Sequence, residues 1–185
     1  MATPERIILV DGSSLIYRAF FAIPGNFTTS SGLHTNAIYG FATMFRKILA
    51  GRQPERGAVV FDPPGPTFRD AKYPQYKAQR PSMPGELREQ LAWIDKVVEA
   101  HRFPLLRVPG YEADDVIGTL TKRAVAAGME VQIISGDKDF AQLLSDHVVM
   151  IDTLQGVTYD PELARKKWGV PPAQFVDFLA LMGDK

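Results

Sequence analysis

Short unbroken apolar runs alternate along this chain with stretches whose apolar side chains recur every three or four residues. The first run, Arg6-Ile7-Ile8-Leu9-Val10, leads into Asp11-Gly12-Ser13-Ser14, the pattern of a strand buried on both faces that turns into a helix. That helix carries Leu15, Ile16, Ala19 and Phe20. The Pro, Gly, Asn, Thr and Ser content from Ile23 to Thr35 predicts a loop. Ile38, Phe41, Phe45, Ile48 and Leu49 then return to helical spacing, with Gly51 as the expected stop. Gly57-Ala58-Val59-Val60-Phe61 is the second strand, ended by Asp62 and Pro63-Pro64-Gly65-Pro66.

From about Thr67 to Pro84 the apolar period is lost, and Arg69, Lys72, Lys77 and Arg80 are interleaved with Phe68, Tyr73 and Tyr76. This reads as a basic, aromatic excursion from the core whose order depends on a ligand. Leu87, Leu91, Ile94, Val97 and Val98 predict one amphipathic helix, and Pro104 to Val108 a third strand. The helix after Glu112 places Val116, Ile117, Leu120, Ala124 and Ala127 inward and ends at Gly128. Val131 to Ile134 is a fourth strand, followed by Ser135-Gly136-Asp137-Lys138-Asp139 and a helix begun by Phe140, Leu143 and Leu144. A fifth strand over His147 to Ile151, an extended piece over Val157 to Tyr159 and two short helical stretches, Pro161 to Trp168 and Pro172 to Met182, complete the chain. This order predicts a single α/β domain with a mostly parallel central sheet and helices on both faces.

At 185 residues and 45% hydrophobic content the chain can bury a sizeable core. It has no cysteine, which excludes disulfides, thiolate zinc sites and a thiol nucleophile. There is no secretory h-region, and no apolar run reaches the roughly 18 residues of a membrane span, so the expected setting is cytoplasmic, with no membrane partner. The formal net charge is zero, which alone argues against nucleic acid. The distribution reverses that reading. Setting aside eight acids that point to one site leaves 13 of 21 against 21 Lys and Arg, a net charge of about +8 elsewhere.

Those eight acids are Asp11, Asp62, Glu112, Asp114, Asp115, Asp137, Asp139 and Asp184. Asp11, Asp62, Glu112 and Asp137 each lie at or just past the C-terminal end of a predicted strand, and in open parallel sheets those ends form the edge where ligands bind. A strand-end Asp is commonly a turn former, and Glu112, Asp114 and Asp115 also suit the first turn of a helix. Several acids on one edge without matching bases instead call for cations, and an all-carboxylate set selects Mg²⁺ or Mn²⁺. None of His34, His101 and His147 falls in a carboxylate cluster, so zinc is not expected. Two ions about 3.5–4 Å apart beside a basic segment point to phosphodiester hydrolysis. Lys77 and Arg80, three residues apart, would share a helical face and contact phosphate; the competing reading is a solvated charged face.

Val10-Asp11-Gly12-Ser13-Ser14-Leu15-Ile16-Tyr17-Arg18-Ala19-Phe20, Val60-Phe61-Asp62 with Thr67-Phe68-Arg69, Tyr76-Lys77-Ala78-Gln79-Arg80-Pro81, Tyr111-Glu112-Ala113-Asp114-Asp115-Val116-Ile117-Gly118 and Ser135-Gly136-Asp137-Lys138-Asp139 resemble, in order, successive motifs of the 5′-nuclease domain of bacterial DNA polymerase I, in the flap-endonuclease family. The resemblance implies a PIN-like fold and hydrolysis at DNA 5′ ends or 5′ flaps in replication and repair, with RNA primers a further expected substrate and a polymerase domain expected in a longer parent chain. It implies that Asp11, Asp62, Glu112 and Asp114, with Asp115 beside them, hold one metal ion, and that Asp137, Asp139 and Asp184 hold a second. Lys77 and Arg80 match the catalytic basic residues of the family's helical arch. Tyr17, Arg18 and Arg69 fall in matching positions near DNA, and Lys72 and Tyr76 belong to the same basic, aromatic segment. In the family the motif around Asp184 continues into a further acid and a helix-hairpin-helix, which these 185 residues are expected to lack. The alternatives are a nucleic-acid-binding fragment without turnover and a smaller PIN-type ribonuclease; the arch-like segment argues against the latter.

Overall fold

The computed structural model describes residues 4–52, 56–79 and 81–183. In chain order the elements are β1 (Arg6–Asp11), α1 (Gly12–Ala22), α2 (Asn36–Arg52), β2 (Arg56–Val60), α3 (Phe68–Lys72), α4 (Gly85–Arg88), α5 (Leu91–Ala100), β3 (Leu105–Leu106), α6 (Ala113–Ala126), β4 (Glu130–Ile134), a 3-10 helix (Lys138–Leu143), β5 (Val148–Asp152), β6 (Val157–Tyr159), α7 (Pro161–Trp168), a 3-10 turn (Pro172–Gln174) and α8 (Phe175–Met182). The fold is mixed α/β, and its strand pairings are mostly parallel. Among the described residues no helix is long and apolar enough to cross a membrane.

The chain divides into two compact units, one comprising Met1–Asp11, Pro54–Gly57 and Asp114–Lys185, the other Gly12–Gln53 and Ala58–Ala113. In the first, β1 runs parallel to β4 with Arg6 opposite Glu130 and Val10 opposite Ile134. β4 in turn runs parallel to β5. Ile8, Leu9, Val10, Val131, Ile133 and Met150 are buried, as continuous apolar runs in a two-faced parallel sheet require. The sense reverses at β6, antiparallel to β5. The reversal has a local cause: buried Asp152 accepts the Leu154 and Gln155 N–H groups, an Asx-type turn. Asp160 caps α7 through the Leu163 N–H, Pro161 opens it, and Gly169 closes it at φ +81.

In the second unit β2 and β3 pair in parallel through Val59–Leu105 and Val60–Leu106. α1 packs closely on α2, because a Cβ at Gly40 would lie 3.0 Å from that of Ala19. Phe41, Phe45 and Ile48 on α2 are buried with Leu15, Ile16 and Ala19 on α1. Full burial of each large apolar side chain is worth about 1.5–3 kcal/mol. The ring of Phe61, the residue before Asp62, fills the space over Gly12, where a Cβ would stand 2.4 Å from Phe61 Cε1. Gly12→Ala is therefore expected to cost about 1–3 kcal/mol by overpacking, measured as a lower urea midpoint with unchanged m-value. An unchanged midpoint would show that Phe61 yields without cost.

Several boundaries depart from the sequence reading. α2 continues through Gly51 to Arg52, because packing of its apolar face outweighs the roughly 1 kcal/mol preference against glycine. The stripe from Leu87 to Val98 is split into α4 and α5. Leu87, Ile94 and Val98 are buried while Leu91 and Val97 are only partly covered. Residues 138–143 form a 3-10 helix and not an α-helix. Ala127 is exposed beyond the end of α6, where Gly128 at φ +78 closes the helix.

Candidate metal and nucleic-acid site

The strand-end acids are held in place by backbone amides and serine hydroxyls. In the unit containing β1 and β4, Ser135, one residue past β4, donates its hydroxyl to Asp11 Oδ2 at 2.8 Å and accepts the Asp137 N–H at 3.0 Å. Asp137 Oδ1 in turn accepts the Asp139 N–H at 2.9 Å, capping the 3-10 helix. The parallel register that sets Val10 beside Ile134 thus ties Asp11 to the Asp137–Asp139 turn through a single buried serine. Asp11 is 5% exposed while Asp137 is open to solvent. Asp114 and Asp115 occupy the first turn of α6, where the helix dipole favours them.

In the other unit Asp62 sits at the mouth of the turn after β2. Its N–H donates to Ser13 Oγ and its Oδ1 accepts the Ala113 N–H, both at 2.8 Å. Glu112, 8% exposed, is the meeting point of the basic segment. Lys77 Nζ lies 2.7 Å from its Oε1, the Tyr76 hydroxyl donates to its Oε2 at 3.0 Å, and Arg69 Nη1 stands 3.7 Å away. Burial alone would lower the Lys77 ammonium's affinity for its proton; the hydrogen bond and charge of Glu112, with Tyr76, outweigh burial and hold it above its ordinary value. Burial first, and then Glu112, push the Tyr76 hydroxyl upward against the opposing pull of Lys77. The Arg69 guanidinium lies over the Phe68 ring at 4.6 Å and the Tyr76 ring at 5.9 Å, and Lys72 over Phe68 at 5.4 Å.

The segment makes hydrogen bonds of its own. Thr67 donates its N–H and its hydroxyl to Asp70 Oδ2, at 2.7 and 2.9 Å, closing the start of α3, and the Phe68 N–H donates to Gly110 O. The helical-face reading of Lys77 and Arg80 does not hold: Lys77 lies in a turn with φ +54, a conformation that costs a lysine about 1–3 kcal/mol. Arg80 and Asp184 fall outside the described residues. Tyr17 is exposed on α1 and stacks on Phe21 at 6.5 Å, with Arg18 half-buried beside it.

Those Thr67 bonds hold the Asp70 carboxyl below its ordinary 3.8. A carboxyl whose folded value is depressed contributes stability above the unfolded value, and that contribution is lost as pH falls through the folded one. Acidification below about pH 4 is therefore expected to speed amide exchange at Phe68–Tyr73 before the rest of the unit; simultaneous loss of protection everywhere would contradict a local cap.

The donor set fits hard divalent cations by its chemistry, carboxylate oxygen throughout. Among the described residues, however, no three Asp, Glu or His side chains close into one ligand set. Ser13 and Ser135, which hydrogen-bond the acids or their backbone, were not legible as site residues. The signal for the two serines was a hydroxyl residue one or two positions beyond a strand.

The family model described as 5′-3′ exonuclease, N-terminal resolvase-like domain matches residues 6–169. The chain belongs to this family. Curated relatives of this 5′-3′ exonuclease domain include DNA polymerase I of Bacillus caldotenax, 46% identical with 98% of the chain and 21% of the relative covered. A 5′-3′ exonuclease of Aquifex aeolicus is 43% identical, over 98% of the chain and 62% of the relative. The chain thus spans about a fifth of the length of the polymerase relative. A flap endonuclease of bacteriophage T5, solved in a pseudo-enzyme–product complex with DNA and metal ions, superposes with a TM-score of 0.74 at 21% identity, covering 97% of this chain and 67% of its own. At that identity the likeness establishes the shared fold.

Proposed function

We propose that this exonuclease-family domain hydrolyses DNA phosphodiester bonds at 5′ ends or 5′ flaps with divalent metal, leaving a 5′-phosphate and a 3′-hydroxyl. The observation that carries the reading is the descent of the basic, aromatic segment onto Glu112, the acid just before α6, with Lys77 Nζ 2.7 Å from Glu112 Oε1. A cation held beside a carboxylate can exchange that partner for a substrate phosphate. The metal bound by the T5 relative and the polymerase context of the B. caldotenax relative agree with this role in replication and repair.

Asp11, Asp62, Glu112 and Asp114, with Asp115 adjacent, are the proposed holders of one ion, and Asp137, Asp139 and Asp184 of a second. Mg²⁺ or Mn²⁺ bound there would lower the pKa of an attacking water and stabilise the 3′-oxygen as its bond to phosphorus breaks. Ser135 fixes the Asp11 carboxylate and the Asp137 backbone in one orientation, so neither has to reorganise when charge arrives. Lys77, kept cationic at neutral pH, would bind the scissile phosphate with Arg80, while Arg69 and Lys72 contact neighbouring phosphates. The Tyr17 and Tyr76 rings offer faces for unpaired bases. RNA primers belong to the same proposal, since phosphate contacts carry no sugar preference.

The test is strand polarity. A flap with a free 5′ end should release short 5′ products, whereas a covalently closed circular strand of the same sequence should resist. Equal cleavage of the two would replace the 5′-end reading with an unrestricted endonuclease, and binding without cleavage of either would favour a nucleic-acid-binding domain.

A further inference from the structure

We propose that Gln90 is a positioning residue for this reaction: it anchors the downstream foot of the 67–84 segment and so fixes the seat of Lys77 against Glu112. The proposal rests on the nuclease reading above. Its starting point is a polar side chain in the core. Gln90 is 0% exposed, unusual for glutamine, and its amide is fully used. Oε1 accepts the Ala37 and Ile38 N–H groups at 2.9 and 3.2 Å, while Nε2 donates to Asn36 Oδ1 at 2.9 Å and Glu86 O at 2.8 Å.

These bonds explain the split between α4 and α5. In a continuous helix Glu86 O would accept the Gln90 N–H. Here the side chain takes that carbonyl, and the backbone N–H goes to Leu87 O at 3.0 Å. The freed amide then satisfies two orphan donors at the start of α2. Asn36, 1% exposed, passes the connection on by donating to Phe20 O at 2.9 Å and Ile23 O at 3.4 Å, at the end of α1. Glu89, next in chain, accepts the His34 N–H at 3.2 Å and pairs with His34 Nδ1 at 2.6 Å, tying down the loop before α2.

The upstream foot is fixed independently, by Thr67 with Asp70 and by Phe68 with Gly110. Between the feet, residues 74–79 form turns. Pro81 and Pro84 limit the backbone freedom of the residues just upstream of α4. A shift at Gln90 would therefore be carried to Lys77, whose positive φ requires restraint from both sides.

Gln90→Met keeps the length and removes all four bonds. Assayed where circular dichroism shows it folded, it should be nicked by trypsin within residues 72–80 at least about tenfold faster than wild type. Its kcat/KM on flap DNA should fall by at least about tenfold, mainly through kcat, whereas in a Lys77→Ala background the same substitution should lower it further by less than about twofold. A further loss in the Lys77→Ala background as large as in the wild-type chain, or an unchanged nicking rate in the folded variant, would overturn the proposal. Should Gln90→Met not fold, Gln90→Asn, which retains the amide on a shorter stem, is read by the same proteolysis and should nick at an intermediate rate; a wild-type rate would again overturn it. A wild-type chain that does not cleave flap DNA sinks the nuclease reading, while the proteolysis still decides the anchor.

Discussion

Asp137→Ala is expected to lower flap cleavage by about 10³-fold or more, roughly 4 kcal/mol of transition-state stabilisation. The residue is exposed at the strand end, on a backbone held by Ser135, where a carboxylate can meet a cation without first being desolvated. Relief of repulsion among the acids would by itself leave stability unchanged or improved. The structure adds an opposing contribution, because Asp137 Oδ1 caps the 3-10 helix through the Asp139 N–H, and loss of such a cap costs about 1 kcal/mol. The variant should therefore melt slightly lower yet remain folded, with activity lost far beyond that change. Cleavage retained within about tenfold would remove Asp137 from the proposed site.

Lys77→Ala has the next largest expected effect, a fall in kcat/KM of about 10²–10³, the loss typical of removing one donor to a developing oxyanion. Lys77→Arg keeps the charge but has a planar head in place of a compact ammonium, so partial activity is expected from it. Substitution by alanine also leaves Glu112 with Tyr76 and Arg69 as its remaining named partners, and a change in fold is excluded by an unaltered urea midpoint. If flap cleavage by Lys77→Ala matched wild type, the bond to Glu112 would be structural and the phosphate role would pass to other cations in the segment.

The strands were legible because Ile7–Val10, Ala58–Val60 and Val131–Ile134 are runs that only a two-faced sheet accommodates. Their terminal acids were legible from position alone. Periodicity could not find the break at Gln90, where a side chain replaces a backbone donor, because Leu87, Ile94 and Val98 keep helical spacing across it. The 3-10 geometry after Asp137 was hidden for a related reason: Phe140 and Ala141 are buried as an α-helical pattern would have them, and the Asp137 cap sets the tighter turn. Composition marked the 67–84 segment as solvent-bound and ligand-ordered. It contained no sign that Tyr76, Lys77 and Arg69 gather on Glu112, a contact spanning some 35 residues of chain. The left-handed turn at Lys77 was likewise beyond any helical-spacing argument, since a positive φ at a non-glycine residue depends on tertiary restraint.

The most direct measurement is cleavage of a 5′-labelled flap DNA by these 185 residues with Mg²⁺, with Mn²⁺ and with EDTA. The account predicts short 5′-labelled products with either metal and none with EDTA. Products that persist undiminished in EDTA, or none from a folded chain that binds the flap in the presence of either metal, would contradict it.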